Sequence, residues 1–243
     1  MSKIKYIGKC LFVRNDDEDV LVVGDLHLGY EGGKNVQGVD LNNSLFRMLK
    51  DEFDNVFSKI IKEGDKIDKI ILLGDLKQGF SRVDYKEREF LNKFFEYLVG
   101  KLDSKGKIIV VRGNHDNYLM NMLIDWNIEL KDYYVLNEDC YLHGDKEFVE
   151  IYDASIKRWI IGHGHPAVRL SDGTKSEKYK CFLEGKFKDK EVIIVPSFVE
   201  YNEGSDPREY DLGFPWVFNL EEFKVRIIDN ELNTLDFGKL GDI

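Results

Sequence analysis

Hydrophobic positions change their period along the chain. In the first half, short apolar runs alternate with longer stretches in which apolar residues return every three or four positions. Residues 4–13 and 20–23 flank the acidic turn at 15–19, which predicts an N-terminal hairpin. Leu45, Met48, Leu49, Phe53, Val56, Phe57, Ile60 and Ile61 recur at helical spacing, and Gly64 closes that helix. Residues 67–73 and 108–111 predict strands, and residues 85–99 a second amphipathic helix ended by Gly100. This strand–helix–strand–helix–strand rhythm predicts parallel pairing with helices over the sheet. The second half changes character. Residues 133–136, 140–142, 159–161, 179–183, 192–195, 216–218 and 225–228 are short strand candidates with little helix between them, which predicts a second, mostly antiparallel sheet. The polar segment 171–178 reads as a surface loop or hairpin tip. With no repeat or long linker, residues 1–243 are expected to form one domain, two sheets packed face to face with helices outside.

Composition agrees with a globular α/β chain. The sequence is 43% hydrophobic with 16 Phe, 12 Tyr and 3 Trp, enough for a large core. Lys and Arg number 35 against 45 Asp and Glu, so the net charge is −10. That excludes global attraction to nucleic acid or anionic membranes; any such contact needs a local patch, a bound cation or a partner. Cys10, Cys140 and Cys181 are far apart and form no CxxC pair, which points to free thiols in a reducing compartment. The first ten residues lack the apolar stretch of a signal peptide, and no apolar run approaches the roughly 20 residues of a bilayer span. The expectation is a soluble cytoplasmic protein.

The chemistry lies where the apolar runs end. Residues 20–23 lead into Gly24-Asp25-Leu26-His27, residues 70–73 into Gly74-Asp75, and residues 108–111, after Arg112, into Gly113-Asn114-His115-Asp116. His143 follows 140–142, and His163 and His165 follow 159–161 in Gly162-His163-Gly164-His165. Ligands in α/β sheets gather beyond the carboxyl ends of strands, so these loops converge on one rim. Two Asp, one Asn and four His make a nitrogen–oxygen set suited to borderline divalent ions. Seven such groups exceed the four a tetrahedral zinc would use, and are enough for two metals with open positions. All five histidines of the chain fall in these strand-end clusters.

The order D-x-H, GD, GNHD, H, GHGH from Asp25 to His165 resembles the calcineurin-like metallophosphoesterase superfamily. The resemblance implies a four-layer αββα sandwich, two mixed β-sheets flanked by helices. It implies that Asp25, His27 and His165 hold one metal, that Asn114, His143 and His163 hold the other, and that Asp75 bridges them. The cofactor would be two divalent ions, Mn foremost, with Fe, Co, Ni or Zn as substitutes. His115 would not be a ligand; it would face the leaving-group oxygen, with Asp116 orienting its imidazole. A hydroxide bridging the ions would attack phosphorus in line. Arg112, Lys77 and Arg82 are near enough in sequence to assist, although solvated surface charge is the simpler role.

GDLK at residues 74–77, GDLHLGYE at 24–31 and Pro196-Ser197-Phe198 are similar to a prokaryotic branch that includes ligase-associated DNA-repair endonucleases. Gln78 stands where many members carry Asp or Asn. The expected activity is therefore a metal-dependent phosphodiesterase acting on DNA, RNA or a nucleotide-like diester. A phosphomonoesterase and a catalytically silent metal-binding scaffold are the alternatives. Protein partners and self-association stay open. The loop 201–210 reads as a turn-rich connection or a substrate-facing loop, and Trp216 and Phe218 as core strand rather than base-stacking platform.

Overall fold

Strand alternation determines how the layers stack. The computed structural model describes residues 2–16, 18–29, 41–83 and 85–243. One sheet runs β1 (Lys3–Ile7), β2 (Cys10–Arg14), β3 (Asp19–Val23), β4 (Lys69–Leu72), β5 (Lys107–Val111) and β6 (Glu129–Lys131) in that spatial order. β1 to β3 are antiparallel neighbours, and β3 to β6 are parallel. The helices α1 (Leu41–Lys62), α2 (Tyr85–Val99) and α3 (Met120–Asp125) fall between these parallel strands. The run 4–13 is two strands rather than one. Gly8 adopts φ +55°, and the Gly8-Lys9 turn pairs Ile7 with Cys10. The acidic turn that follows joins β2 to β3 as expected, with Asp17 outside the described residues. So do Tyr30 and Glu31 of the 24–31 motif.

On β3, β4 and β5 the residues Leu21, Val23, Ile70, Leu72, Ile108 and Val110 pack against Phe53, Val56, Leu91 and Phe94 of the helices. Their neighbours Val20, Val22, Ile71, Leu73, Ile109 and Val111 face the other way. There they meet Tyr141, Ile160, Phe182, Ile193 and Val195 from the second sheet, forming the seam between sheets. Strands buried on both faces must be apolar at every position, which is why these runs are continuous.

The second sheet has the order β14 (Thr234–Lys239), β13 (Lys224–Ile228), β11 (Ser176–Phe187), β12 (Lys190–Ile194), β9 (Arg158–Ile161), β8 (Asp139–Leu142) and β7 (Tyr133–Leu136), with β10 (Ala167–Ser171) paired to β11. Most pairs are antiparallel, but β12, β9 and β8 are parallel at its centre. The expected hairpin tip is the β10–β11 connection. Both sheets are thus mixed and flanked by helix. On the outer side of the second sheet, that helix is reduced to 3-10 turns at Val149–Tyr152, Leu220–Glu222 and Leu240–Asp242 among the described residues. Trp216 and Phe218 are not a strand. They belong to an aromatic loop that closes this outer core, where the Trp216 indole N–H donates to Tyr152 Oη at 3.1 Å.

Candidate metal centre

Each candidate ligand stands one to four residues beyond the C-terminal end of a strand: Asp25 and His27 after β3, Asp75 after β4, Asn114 after β5, His143 after β8, His163 and His165 after β9. The loops touch so closely that two glycines are obligatory. A Cβ on Gly113 would lie 2.2 Å from Asp75 Oδ1. One on Gly74, whose φ is +96°, would lie 2.7 Å from the Gly113 nitrogen and 2.9 Å from His143 Nδ1. Four ligand candidates also adopt left-handed backbone, His27 (φ +44°), Asp75 (+47°), His163 (+63°) and His165 (+43°). Such conformations cost about 1–3 kcal/mol each in non-glycine residues and cluster at functional sites.

Three overlapping groups result, each with ligand atoms mutually within 4.8 Å: Asp25, His27 and His165; His27, Asp75 and His115; Asp75, His143 and His163. His27 Nε2 is 3.3 Å from His165 Nε2, and His165 Nε2 is 3.2 Å from Asp25 Oδ1. On the other side His143 Nε2 lies 3.0 Å from Asn114 Oδ1 and 3.1 Å from His163 Nδ1. Asp75 Oδ2 faces both sides, 3.5 Å from His143 Nε2 and 3.8 Å from His27 Nε2. The sequence-predicted set is therefore brought together, Asn114 included.

The polar atoms fit a cation. Asp25 is fully buried; its Oδ2 accepts the His163 backbone N–H at 2.9 Å, but Oδ1 has no hydrogen-bond donor. A buried carboxylate oxygen without a donor, ringed by imidazole nitrogens, costs stability unless a positive charge compensates it. The all nitrogen–oxygen donor set suits borderline divalent ions.

Charge states follow from the same crowding. Burial raises the Asp25 carboxyl, yet His165 and His143 outweigh it and hold it well below the usual carboxylate range. Burial likewise opposes Asp75, and its contact with His143 lowers it. His143 is pushed up to about 10, because the carboxylates of Asp25 and Asp75 overcome the burial that would lower it. His27 is lowered to about 4 by burial, with His165 and His115 adding like charge, and His163 is lowered by burial and by His143. His143 Nδ1–H donates to the Leu73 carbonyl at 2.8 Å, which aims Nε2 at the centre.

His115 sits at the edge of the cluster, Nε2 3.8 Å from Asp75 Oδ2, its own backbone N–H donating to Asp75 Oδ1 at 2.9 Å. Asp116 does not orient it. The buried Asp116 carboxylate accepts the backbone N–H of Leu76 at 2.8 Å and of Gly113 at 2.9 Å, tying the β4 and β5 loops together. Burial and the charge of Asp75 push its carboxyl up to about 6. The imidazole is oriented instead by the Gln78 carbonyl, which accepts from Nδ1–H at 2.6 Å, and by the Phe80 ring, tilted 32° to it with ring centres 3.7 Å apart. Gln78 acts here through its backbone, so its departure from the usual Asp or Asn changes nothing at that contact.

Several contributors escape the sequence patterns. Asn202 Nδ2 lies 2.8 Å from His165 Nδ1, and the Tyr201 hydroxyl donates to the Leu26 and His27 carbonyls at 3.0 and 2.7 Å. The 201–210 loop thus supports ligands from behind. Lys77 is wholly buried and donates to the Gly79 and Ser81 carbonyls, so it is neither surface charge nor a group facing the centre. Arg112 pairs with Asp132 at 3.2 Å, and Arg82 lies over the Tyr118 ring at 5.8 Å.

Comparison with known proteins bears on this geometry. The family model described as calcineurin-like phosphoesterase matches residues 19–228. The fold is similar to that of a nuclease, MPE, from Pseudomonas putida, with 15% identity, TM-score 0.61, and 98% of this chain and 100% of that one covered. A Vps29 variant from Entamoeba histolytica aligns over 90% of this chain and 99% of its own at 13% identity and TM-score 0.36. A protein of unknown function from Aquifex aeolicus aligns over 63% of this chain and 81% of its own at 20% identity and TM-score 0.37. No curated protein matches the sequence.

Proposed function

Because the chain belongs to the calcineurin-like phosphoesterase family, hydrolases of phosphate esters, we propose that it is a two-metal phosphodiesterase acting on nucleic acid. The observation that carries this reading is the position of Asp75 Oδ2, within 3.8 Å of His143, His27 and His115 at once. One carboxylate between two donor groups, beside an imidazole assigned here to neither, suits in-line displacement on a phosphate ester.

Asp25, His27 and His165 would hold one ion; Asn114, His143 and His163 the other, with Asp75 shared. Bound there, two divalent ions would supply Lewis acidity to the phosphoryl oxygens and acidify a coordinated water from about 16 towards 7. The residues do the rest. Asp25 and Asp75 bring fixed negative charge that concentrates cations at a rim on which the substrate is also anionic. His115, held through Nδ1 by the Gln78 carbonyl, directs Nε2 at the reacting region, where it hands a proton to the departing oxygen. Gly113 and Gly74 let the loops close to this spacing. The whole-length likeness of fold to the P. putida nuclease favours a nucleic acid over a small diester.

The first prediction tests this reading. Purified protein incubated with Mn should carry two ions per chain and hydrolyse bis-p-nitrophenyl phosphate faster than p-nitrophenyl phosphate. His115→Ala should keep both ions and lose about 100-fold in diesterase rate, the scale of one acid–base residue. A chain that binds less than one ion, or that favours the monoester, would overturn the proposal.

A further inference from the structure

Lysine is out of place at position 180. Along β11 successive residues face opposite ways, Phe182 into the seam between the sheets, Cys181 and Leu183 into the outer core. Two residues before Phe182, on the same face, the sequence puts Lys180. An amine taken from water costs stability unless its N–H groups are bonded. Those of Lys180 are: Nζ donates to the Ser197 carbonyl at 2.8 Å, to Ser197 Oγ at 2.9 Å and to the Val199 carbonyl.

All three acceptors belong to one segment, residues 196–205, which runs as a strap behind the candidate centre. Its inner side holds ligands. The Phe198 N–H donates to the Asp25 carbonyl at 2.9 Å and the Ser205 N–H to the His165 carbonyl at 2.8 Å, beside the Tyr201 and Asn202 contacts with His27 and His165. Pro196 comes so close that a Cβ on Gly24 would lie 2.2 Å from its carbonyl oxygen. These contacts fall on or next to Asp25, His27 and His165, not on Asn114, His143 or His163.

The outer side of the strap is held by packing and by charge. Phe198 is rooted against Phe53 of α1, with ring centres 4.2 Å apart. Beside it opens a cleft of about 910 Å³, walled by α1, β10 and β11, and three lysines of that cleft reach the strap. Lys9 pairs with Glu200, Lys178 donates to the Gly204 carbonyl at 3.2 Å, and Lys180 grips the residues on either side of Phe198. Resting on the two-metal reading above, we infer that Lys180 is a positioning residue for one ion. By clamping residues 197 and 199 it fixes the Phe198 amide on Asp25 and the strap on His165, and so sets the geometry of the Asp25, His27 and His165 group alone.

The test reads each ion site apart from activity. Zn, a diamagnetic stand-in for Mn, would be titrated against a competing chelator into protein carrying ¹⁵N-labelled histidine. The imidazole signals of His27 and His165 then report one ion, and those of His143 and His163 the other. Lys180→Met should weaken the first site about tenfold and move the second by less than about twofold, the lower end of what groups behind a ligand are worth. The control is Lys190→Met. Lys190 is a buried lysine at the start of β12, remote from the ligands along the strands, and its Nζ holds the Asp153 and Ile156 carbonyls. It should leave both sites unmoved. Equal weakening of both sites, no weakening, or the same loss in Lys190→Met overturns the assignment. Should Lys180→Met fail to fold, Ser197→Ala removes one acceptor and is read in the same way, with a loss of about threefold expected at the first site. A wild-type chain that takes up fewer than two ions sinks the two-metal reading instead. The metal-free spectra then decide on Lys180: the substitution should shift the His27 and His165 imidazoles further than those of His143 and His163, and the reverse order overturns its role.

Discussion

Individual residues of the centre set one another's charge states, and a cation would reverse that of His143. In the metal-free protein His143 is raised from 6.5 to about 10 by Asp25 and Asp75 against the opposing burial, so it carries a proton at neutral pH. His27 and His163 are lowered, so they present lone pairs already. A ligating imidazole must be neutral, and metal binding then displaces the His143 proton. At pH 8, Mn binding should release about one proton per chain, read as the slope of calorimetric enthalpy against buffer ionisation enthalpy. A slope of zero would show that His143 is already neutral. The same shift fixes the pH dependence of the metal-free fold. A histidine whose folded value is raised contributes stability fully below pH 6.5, and loses it as pH climbs through about 10. The urea midpoint of the chelated protein should fall across that interval, and the fall should shrink in His143→Gln.

At the scale of elements, the centre is a set of strand ends, and this explains both what the sequence revealed and what it hid. Continuous apolar runs announced β3, β4 and β5, and helical spacing announced α1 and α2, because burial on both faces or on one stripe leaves a period. The ligands were legible because each interrupts such a run with a Gly and a polar residue. Gly8 was not read as a turn, since apolar residues continue on both sides of it, and Trp216 and Phe218 read as strand because an aromatic loop over a core has a strand's composition. Asp116 follows His115 directly in sequence, yet the turn points its carboxylate at the Leu76 and Gly113 amides. Asn202 was legible only as part of the 201–210 loop and not as a support for a ligand, since a loop residue touching a ligand from behind has no period. Its contact with His165 is testable. Groups that hold ligating imidazoles from the outside are typically worth 10–100-fold in metal affinity. Asn202→Ala should therefore weaken Mn binding by at least about tenfold in a chelator competition, with little change in the far-ultraviolet circular dichroism. An unchanged affinity would make the contact incidental.

Across the whole molecule, the centre joins the two sheets. Asp25, Asp75 and Asn114 extend from the first sheet, and His143, His163 and His165 from the second. Below them the sheets meet across a seam of side chains such as Ile71, Ile109, Tyr141, Ile160 and Phe182, with a polar contact at its edge where Lys69 Nζ donates to the Tyr134 hydroxyl at 2.8 Å. At the rim above that seam, the buried Asp25 meets His143 and His165, and fixed charge without a cation leaves Asp25 Oδ1 undonated. Ions shared between the sheets would bind the folded state alone, because unfolding scatters ligands that are as much as 140 residues apart, from Asp25 to His165. Free ion at 100 times its dissociation constant then adds about 2.7 kcal/mol per site. For a chain of 243 residues, one occupied site should raise the unfolding temperature by roughly 5–11 °C over the chelated protein. Asp75→Asn weakens the carboxylate that faces both donor groups, so most of this increment should vanish with it in a calorimetric scan. An increment of full size in Asp75→Asn would mean that the ions act elsewhere on the surface.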